Sequence, residues 1–149
     1  GPNVFSEYWQ RPKETKKSFQ QGWFKTGDVA ILENGIYKIL GRNSVDIIKS
    51  GGYKVSALEI EGILQTHRDI KECAVIGIPD PEWGESVAVA LVLKTKTVFQ
   101  WDTFRKWAKS QLAPYKVPVH HIQMKILPRN AMGKVNKAKL ANNFQGAVK

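Results

Sequence analysis

One cysteine, two methionines and three histidines are spread over 149 residues, and no apolar run approaches the length of a bilayer span. Each scarcity excludes something. The single cysteine, Cys73, forbids an intramolecular disulfide, and its place before Ala74-Val75-Ile76 reads as a buried strand residue in preference to a reactive thiol. His67, His120 and His121 are too few, at unsuitable spacing, for a built-in zinc site, so no resident metal is expected. A membrane span needs about 18 to 20 apolar residues in a row, and a secretory signal needs a charged stretch followed by an apolar core; neither pattern occurs. Gly1-Pro2 resembles the scar of a removed purification tag, so the native N-terminus, with any targeting peptide, is expected to be missing. An intracellular location, cytoplasm or mitochondrion, fits a lone thiol.

Acid is scarce at one end only. From Lys94 onward there are 12 Lys/Arg against one acid, Asp102, a net of +11, whereas the first 93 residues carry 11 against 12, a net of −1. A cationic end of this kind suits nucleic acid, an anionic membrane surface or a phosphorylated small molecule, and equally a solvated face.

The apolar pattern divides the chain near 42–45. Residues 3 to 22 are polar, with a helix start at Pro12, and lack enough apolar residues for a core. Val29–Leu32 and Ile36–Leu40 are strand-like runs joined through Asn34-Gly35, a strong hairpin signal. A second hairpin follows, Asp46–Lys49 and Tyr53–Val55 about Ser50-Gly51-Gly52. Ser56 with Glu59 three residues on is a capping box, opening a helix with Ala57, Ile60, Ile63 and Leu64 on one face. The continuous apolar runs Cys73–Ile78 and Val87–Leu93 read as two buried strands paired at the centre of a sheet. Phe104, Trp107, Ala108 and Leu112 mark an amphipathic helix ended before Pro114. Ile122–Leu127 reads as a strand and Lys137–Phe144 as a closing helix. These elements predict an α+β layer domain, a short sheet packed with helices, over 45–149, preceded over 3–44 by the last hairpin and edge of a larger domain.

Three loops carry residue types suited to phosphates and sugars. Gly22-Trp23-Phe24-Lys25-Thr26-Gly27-Asp28 sets a glycine before a carboxylate, which presents two acceptor oxygens to a diol. Gly41-Arg42, followed by Lys49-Ser50-Gly51-Gly52-Tyr53, pairs a guanidinium with glycines that let backbone approach a ligand closely. Pro128-Arg129-Asn130-Ala131-Met132-Gly133-Lys134 sets a loop glycine before a lysine that can meet a developing negative charge. Taken singly, each loop reads equally as an ordinary turn or a basic surface loop.

In this order and separation the three are diagnostic. WFKTGD, GRxxxDxIKxxGxxVxxxEIE and PRNxxGKxxK resemble the closing motifs of the acyl-activating, adenylate-forming superfamily, and the resemblance covers residues 4 to 144. It implies the small C-terminal domain of an acyl-CoA synthetase that joins a carboxylic acid to CoA with ATP. The implied roles fall on particular residues. Asp28 would bind the ribose hydroxyls of ATP, with Thr26 in the same motif and Arg42 supporting the sugar. Lys134 would contact the substrate carboxylate and the α-phosphate during adenylate formation. The small domain would then swing about a hinge at Ser44, where relatives commonly carry Asp or Lys, and bring Lys49, Gly51, Gly52 and Tyr53 to the adenylate for attack by the CoA thiol. Lys109 is the first choice for the CoA nucleotide, with Lys116 and Arg129 as further exposed cations. Magnesium is expected only with ATP.

The glycine-rich phosphate loop and acyl pocket of such enzymes lie upstream, so this piece is expected to need its own missing N-terminal domain and to be silent alone. SGGYK, LAPYKVP and LPRNAMGKVNK are most similar to the malonate and methylmalonate CoA ligases. Other readings are a different short- or medium-chain acyl-CoA ligase, an adenylation domain loading a carrier protein, and, outside the class, a basic nucleic-acid module. Against the last, Trp107 falls on an apolar helix face and Trp23 in the ribose motif, so no nucleic-acid partner is expected.

Overall fold

The computed structural model describes residues 1–94 and 98–144. Helix α1 (Pro12–Ser18) takes Pro12 into its first turn, where a missing N–H costs nothing, and leads into a two-stranded sheet of β1 (Phe19–Gln20) and β2 (Trp23–Phe24). Phe5, Tyr8, Phe19 and Phe24 cluster there with ring centroids 4.8 to 5.7 Å apart. Strands β3 (Asp28–Glu33) and β4 (Ile36–Arg42) form the predicted hairpin about Asn34-Gly35, both with positive φ as the tight turn requires. This hairpin is a sheet of its own, and Leu32, Ile36, Tyr37 and Ile39 on it are exposed.

The rest builds one five-stranded sheet. Its order is β6 (Tyr53–Ser56), β5 (Ile47–Ser50), β8 (Gly84–Leu93), β7 (Ile70–Asp80), with β9 (His120–Gln123) added parallel to β8 beyond β5. The sequence reading paired β7 with β8 correctly but set both at the centre. Among the described residues only β8 is central, and β7 has no sheet partner on its other side, which is why it tolerates Pro79 near its end.

Alternate residues of these strands serve two cores. Val75, Val87, Val89 and Leu91 face α2 (Ala57–Leu64) and α3 (Trp101–Gln111), packing with Ile60, Leu64, Phe104 and Ala108. Ala74, Ile76, Ile78, Ala88, Ala90 and Val92 face the other way, against Leu127, Leu140 and Phe144 around α4 (Lys137–Asn142). Burial on both faces explains why the two runs are continuously apolar instead of alternating.

Three local expectations shift. Ser56 Oγ caps α2 by accepting the Glu59 N–H at 3.2 Å, but the Glu59 carboxylate turns to Lys116 instead of closing the box. The strand expected at 122–127 lies at 120–123, because its register is dictated by parallel pairing with Ala88–Leu91. The closing helix stops at Asn142. Cys73 is buried as read from the sequence, and burial pushes its thiol up to about 12.

Candidate functional site

The ribose-type motif is stitched by the hairpin register. Asp28 and Arg42 are direct partners across β3 and β4, and Arg42 Nε lies 3.5 Å from Asp28 Oδ1. Thr26 Oγ1 accepts the Asp28 N–H at 3.1 Å, and Gly27, at φ +80°, gives its carbonyl to the Asn43 N–H at 2.9 Å. A carboxylate, a hydroxyl and a guanidinium thus share one hairpin end.

Beyond Arg42 the chain turns tightly. The Val45 and Asp46 N–H groups donate to the Arg42 carbonyl at 3.2 and 2.8 Å, and Asp46 Oδ2 accepts the Arg42 N–H at 3.0 Å, so exposed Ser44 sits inside a closed turn. Strand β5 then delivers the glycine loop. The Lys49 N–H donates to Glu85 Oε2 at 2.6 Å and the Gly51 N–H to the Trp83 carbonyl at 2.9 Å. The two glycines do different jobs. A Cβ on Gly51, at φ +55°, would fall 2.6 Å from the Trp83 ring, whereas one on Gly52, at φ +82°, would meet nothing within 4 Å. Gly51 is needed for packing; Gly52 leaves open space.

Tyr53, at the end of that loop, stacks on Tyr115 with centroids 4.4 Å apart and planes 13° from parallel. Together with Trp83, Val119 and the buried Ser86 they line a cleft of about 440 Å³. At its rim Asp80 accepts the backbone N–H groups of Glu82 and Trp83, both at 2.9 Å, and the Trp83 N–H followed by that of Glu82 holds its carboxyl below the usual carboxylate range. The cleft offers flat apolar faces beside the glycine loop, a surface suited to a heteroaromatic ring.

The third loop is a small closed frame. Arg129 and Val135 form a bridge, the Asn130 N–H donates to the Lys134 carbonyl at 2.8 Å, and Asn130 Oδ1 accepts the N–H groups of Met132 and Lys134, both at 3.0 Å. Arg129 donates to the Gly133 carbonyl at 2.7 Å and pairs with Glu72 at 2.6 Å. Lys134 stands exposed on this frame, its ammonium without an ion pair among the described residues.

One expectation about exposed cations is corrected here. Lys116 is not a free cation: its ammonium lies 2.7 Å from Glu59 and only 21% of its side chain is exposed. Arg129 is exposed but bound to Glu72. Lys109 is exposed on α3, away from the residues that line the aromatic cleft. Sequence reasoning missed Trp83 and Tyr115, which sit in turns without periodicity and acquire meaning only from Gly51 and Tyr53. Two of the three histidines pack on aromatic rings: His67 edge-on to Phe104 and Trp107, and His121 stacked on Trp101 at 4.0 Å.

The profile of the AMP-binding enzyme C-terminal domain matches residues 59–134. The chain belongs to this family. It is 51% identical over 145 residues, 97% of its length, to malonate–CoA ligase ACSF3, mitochondrial, of Bos taurus, and 46% identical over 156 residues, again 97% of its length, to malonate–CoA ligase of Arabidopsis thaliana. It covers 25% and 26% of those two proteins, about a quarter of their length. ATP-bound MatB from Rhodopseudomonas palustris matches all of this chain, which covers 30% of that one, at 36% identity with a TM-score of 0.90. MenE, the o-succinylbenzoate CoA synthetase of Bacillus subtilis in complex with OSB-AMP, matches 94% of it, and is covered to 28%, at 37% identity with a TM-score of 0.86. The small mixed helix and sheet domain expected from the sequence is therefore the fold of the adenylate-forming enzymes' C-terminal domain. Among the described residues no helix is long and apolar enough to cross a membrane.

Proposed function

We propose that this chain is the C-terminal part of an ATP-dependent, AMP-forming acyl-CoA synthetase acting on malonate, with residues 3–44 ending the large domain and 45–149 forming the mobile one. The observation that carries the reading is the contrast at the third loop. Arg129 and Lys137 on either side are ion-paired, while Lys134 between them is exposed on a hydrogen-bonded frame. A cation held ready and left unpaired is suited to an anionic reactant.

In this reading a carboxylate oxygen of the acid attacks the α-phosphorus of ATP, a new P–O bond forms, and diphosphate leaves with the electrons of the broken bond. Two anions must approach, and the Lys134 ammonium lowers that electrostatic cost. Asp28, with Thr26 and Arg42 beside it, holds the ribose hydroxyls. Rotation about Ser44 then withdraws Lys134 and presents the Lys49–Tyr53 loop. There the CoA thiol adds to the acyl carbonyl over the open face of Gly52 and AMP departs. The Tyr53, Trp83 and Tyr115 cleft takes the flat part of the CoA nucleotide, with Lys109 as the sequence-based candidate for its phosphates. Among the described residues no cluster of three or more His, Cys, Asp or Glu could hold a metal, so Mg²⁺ would travel on the ATP phosphates and no step here runs through it.

Malonate rests on the SGGYK, LAPYKVP and LPRNAMGKVNK strings and on the names of the bovine and Arabidopsis relatives. The compartment in this reading is cytoplasm or mitochondrion, the second being the one in the bovine relative's name. The test is CoA-dependent AMP release by the full-length protein with malonate, methylmalonate, acetate and a medium-chain fatty acid side by side. Preference for malonate is expected. Preference for another acid retires the substrate, and AMP from none retires the ligase.

A further inference from the structure

Lys137, the last residue of the third motif, is largely enclosed. Its ammonium lies 2.7 Å from Asp46 Oδ1 and 2.9 Å from Glu61 Oε1, with only 11% of its side chain exposed and 14% of each carboxylate's. Neither acid is spent on Lys137 alone. Asp46 Oδ2 accepts the Arg42 N–H across the Ser44 turn, and Glu61 Oε1 accepts the Val75 N–H of β7 at 2.7 Å. One ammonium thus joins the first residue of α4 to the turn after the hinge, to α2 and to the sheet.

We propose that Lys137 is a positioning residue for Lys134: its ion cluster with Asp46 and Glu61 anchors the C-terminal end of the Lys134 loop, as the Arg129–Glu72 pair anchors the N-terminal end. This rests on the role given to Lys134 above. The glycine loop is held separately, by Lys49 N–H to Glu85 and Gly51 N–H to the Trp83 carbonyl, in which Lys137 has no part. Loss of Lys137 therefore loosens the loop used for adenylate formation and spares the one used for thioester formation.

The two half-reactions separate these roles. In the full-length enzyme, Lys137→Met is expected to slow diphosphate release from ATP and acid at least tenfold in kcat, with the KM for ATP changed by less than about threefold. Conversion of supplied acyl-adenylate to acyl-CoA should keep at least a third of its rate, and Lys137→Arg should restore much of the first step. A merely structural role would lower both half-reactions together with the folded fraction, and that result, or no loss in either, overturns the inference. Because Lys137→Met leaves two carboxylates facing each other, the Glu61→Gln/Lys137→Met pair supplies the same measurement if the single variant does not fold. Lys134→Ala run in parallel tests the parent reading: if it leaves diphosphate release intact, that reading fails, independently of how Lys137 behaves.

Discussion

Asp28 and Arg42 stand opposite each other at the open end of one hairpin, 3.5 Å apart, although fourteen positions separate them in the chain. The register that joins them is set by the Asn34-Gly35 turn and adjusted by an irregularity between Val29 and Ala30. Asp28→Ala in the full-length enzyme should raise the KM for ATP by roughly tenfold, the scale of one lost charge-assisted contact to a hydroxyl pair, and leave the KM for CoA unchanged. Steady-state kinetics with each substrate varied in turn checks it.

Lys134 is the sharpest single test of chemistry. Lys134→Ala should cut adenylate formation by on the order of 10² or more, as loss of one preorganised electrostatic donor does, without lowering the unfolding midpoint of the chain, since the ammonium makes no ion pair among the described residues. Diphosphate release and urea unfolding on the same preparation measure both.

The two glycines should part company. Gly51→Ala strains a left-handed residue by about 1 to 2 kcal/mol and also drives a methyl into the Trp83 ring. Gly52→Ala carries the strain alone, so it should be the less destabilising of the two while still slowing thioester formation. Urea midpoints and the second half-reaction decide the order.

Tyr115→Ala removes one face of the aromatic cleft. If a nucleobase lies there, the KM for CoA should rise about five- to a hundredfold, from the roughly 1 to 3 kcal/mol that base stacking supplies, with the ATP half-reaction unaffected. Lys109→Ala in the same assay tests the phosphate contact. An unchanged KM for CoA in both variants would remove this surface from the CoA site.

Stability should fall as the medium turns acidic. Burial lowers the pKa values of both His67 and His121, so their neutral forms are favoured in the folded chain. Groups of this kind add stability above the unfolded histidine value, about 6.5, and that stability is lost as pH falls below it toward the folded values. Urea midpoints of this chain should therefore drop between pH 7.5 and 5.5, and the paired His67→Asn/His121→Gln substitutions should flatten that slope.

Much of the molecule was written locally. Asn34-Gly35 specifies a hairpin, Ser56 a helix start, and the unbroken runs through Cys73–Ile78 and Val87–Leu93 two strands buried on both faces, because turn chemistry and side-chain period act over a few residues. The three motif loops were legible for the same reason, since glycines and the charges beside them are neighbours in the chain. Tertiary structure alone decided which cations are free. Lys116 meets Glu59, Arg129 meets Glu72, and Lys137 meets Asp46 and Glu61, each across a long stretch of chain, whereas Lys134 meets none among the described residues. It also decided that Trp83 and Tyr115 would wall a cleft with Tyr53. An ion pair or a ring stack depends on distance through space, and for residues so far apart in the chain that distance exists only once the sheet has closed.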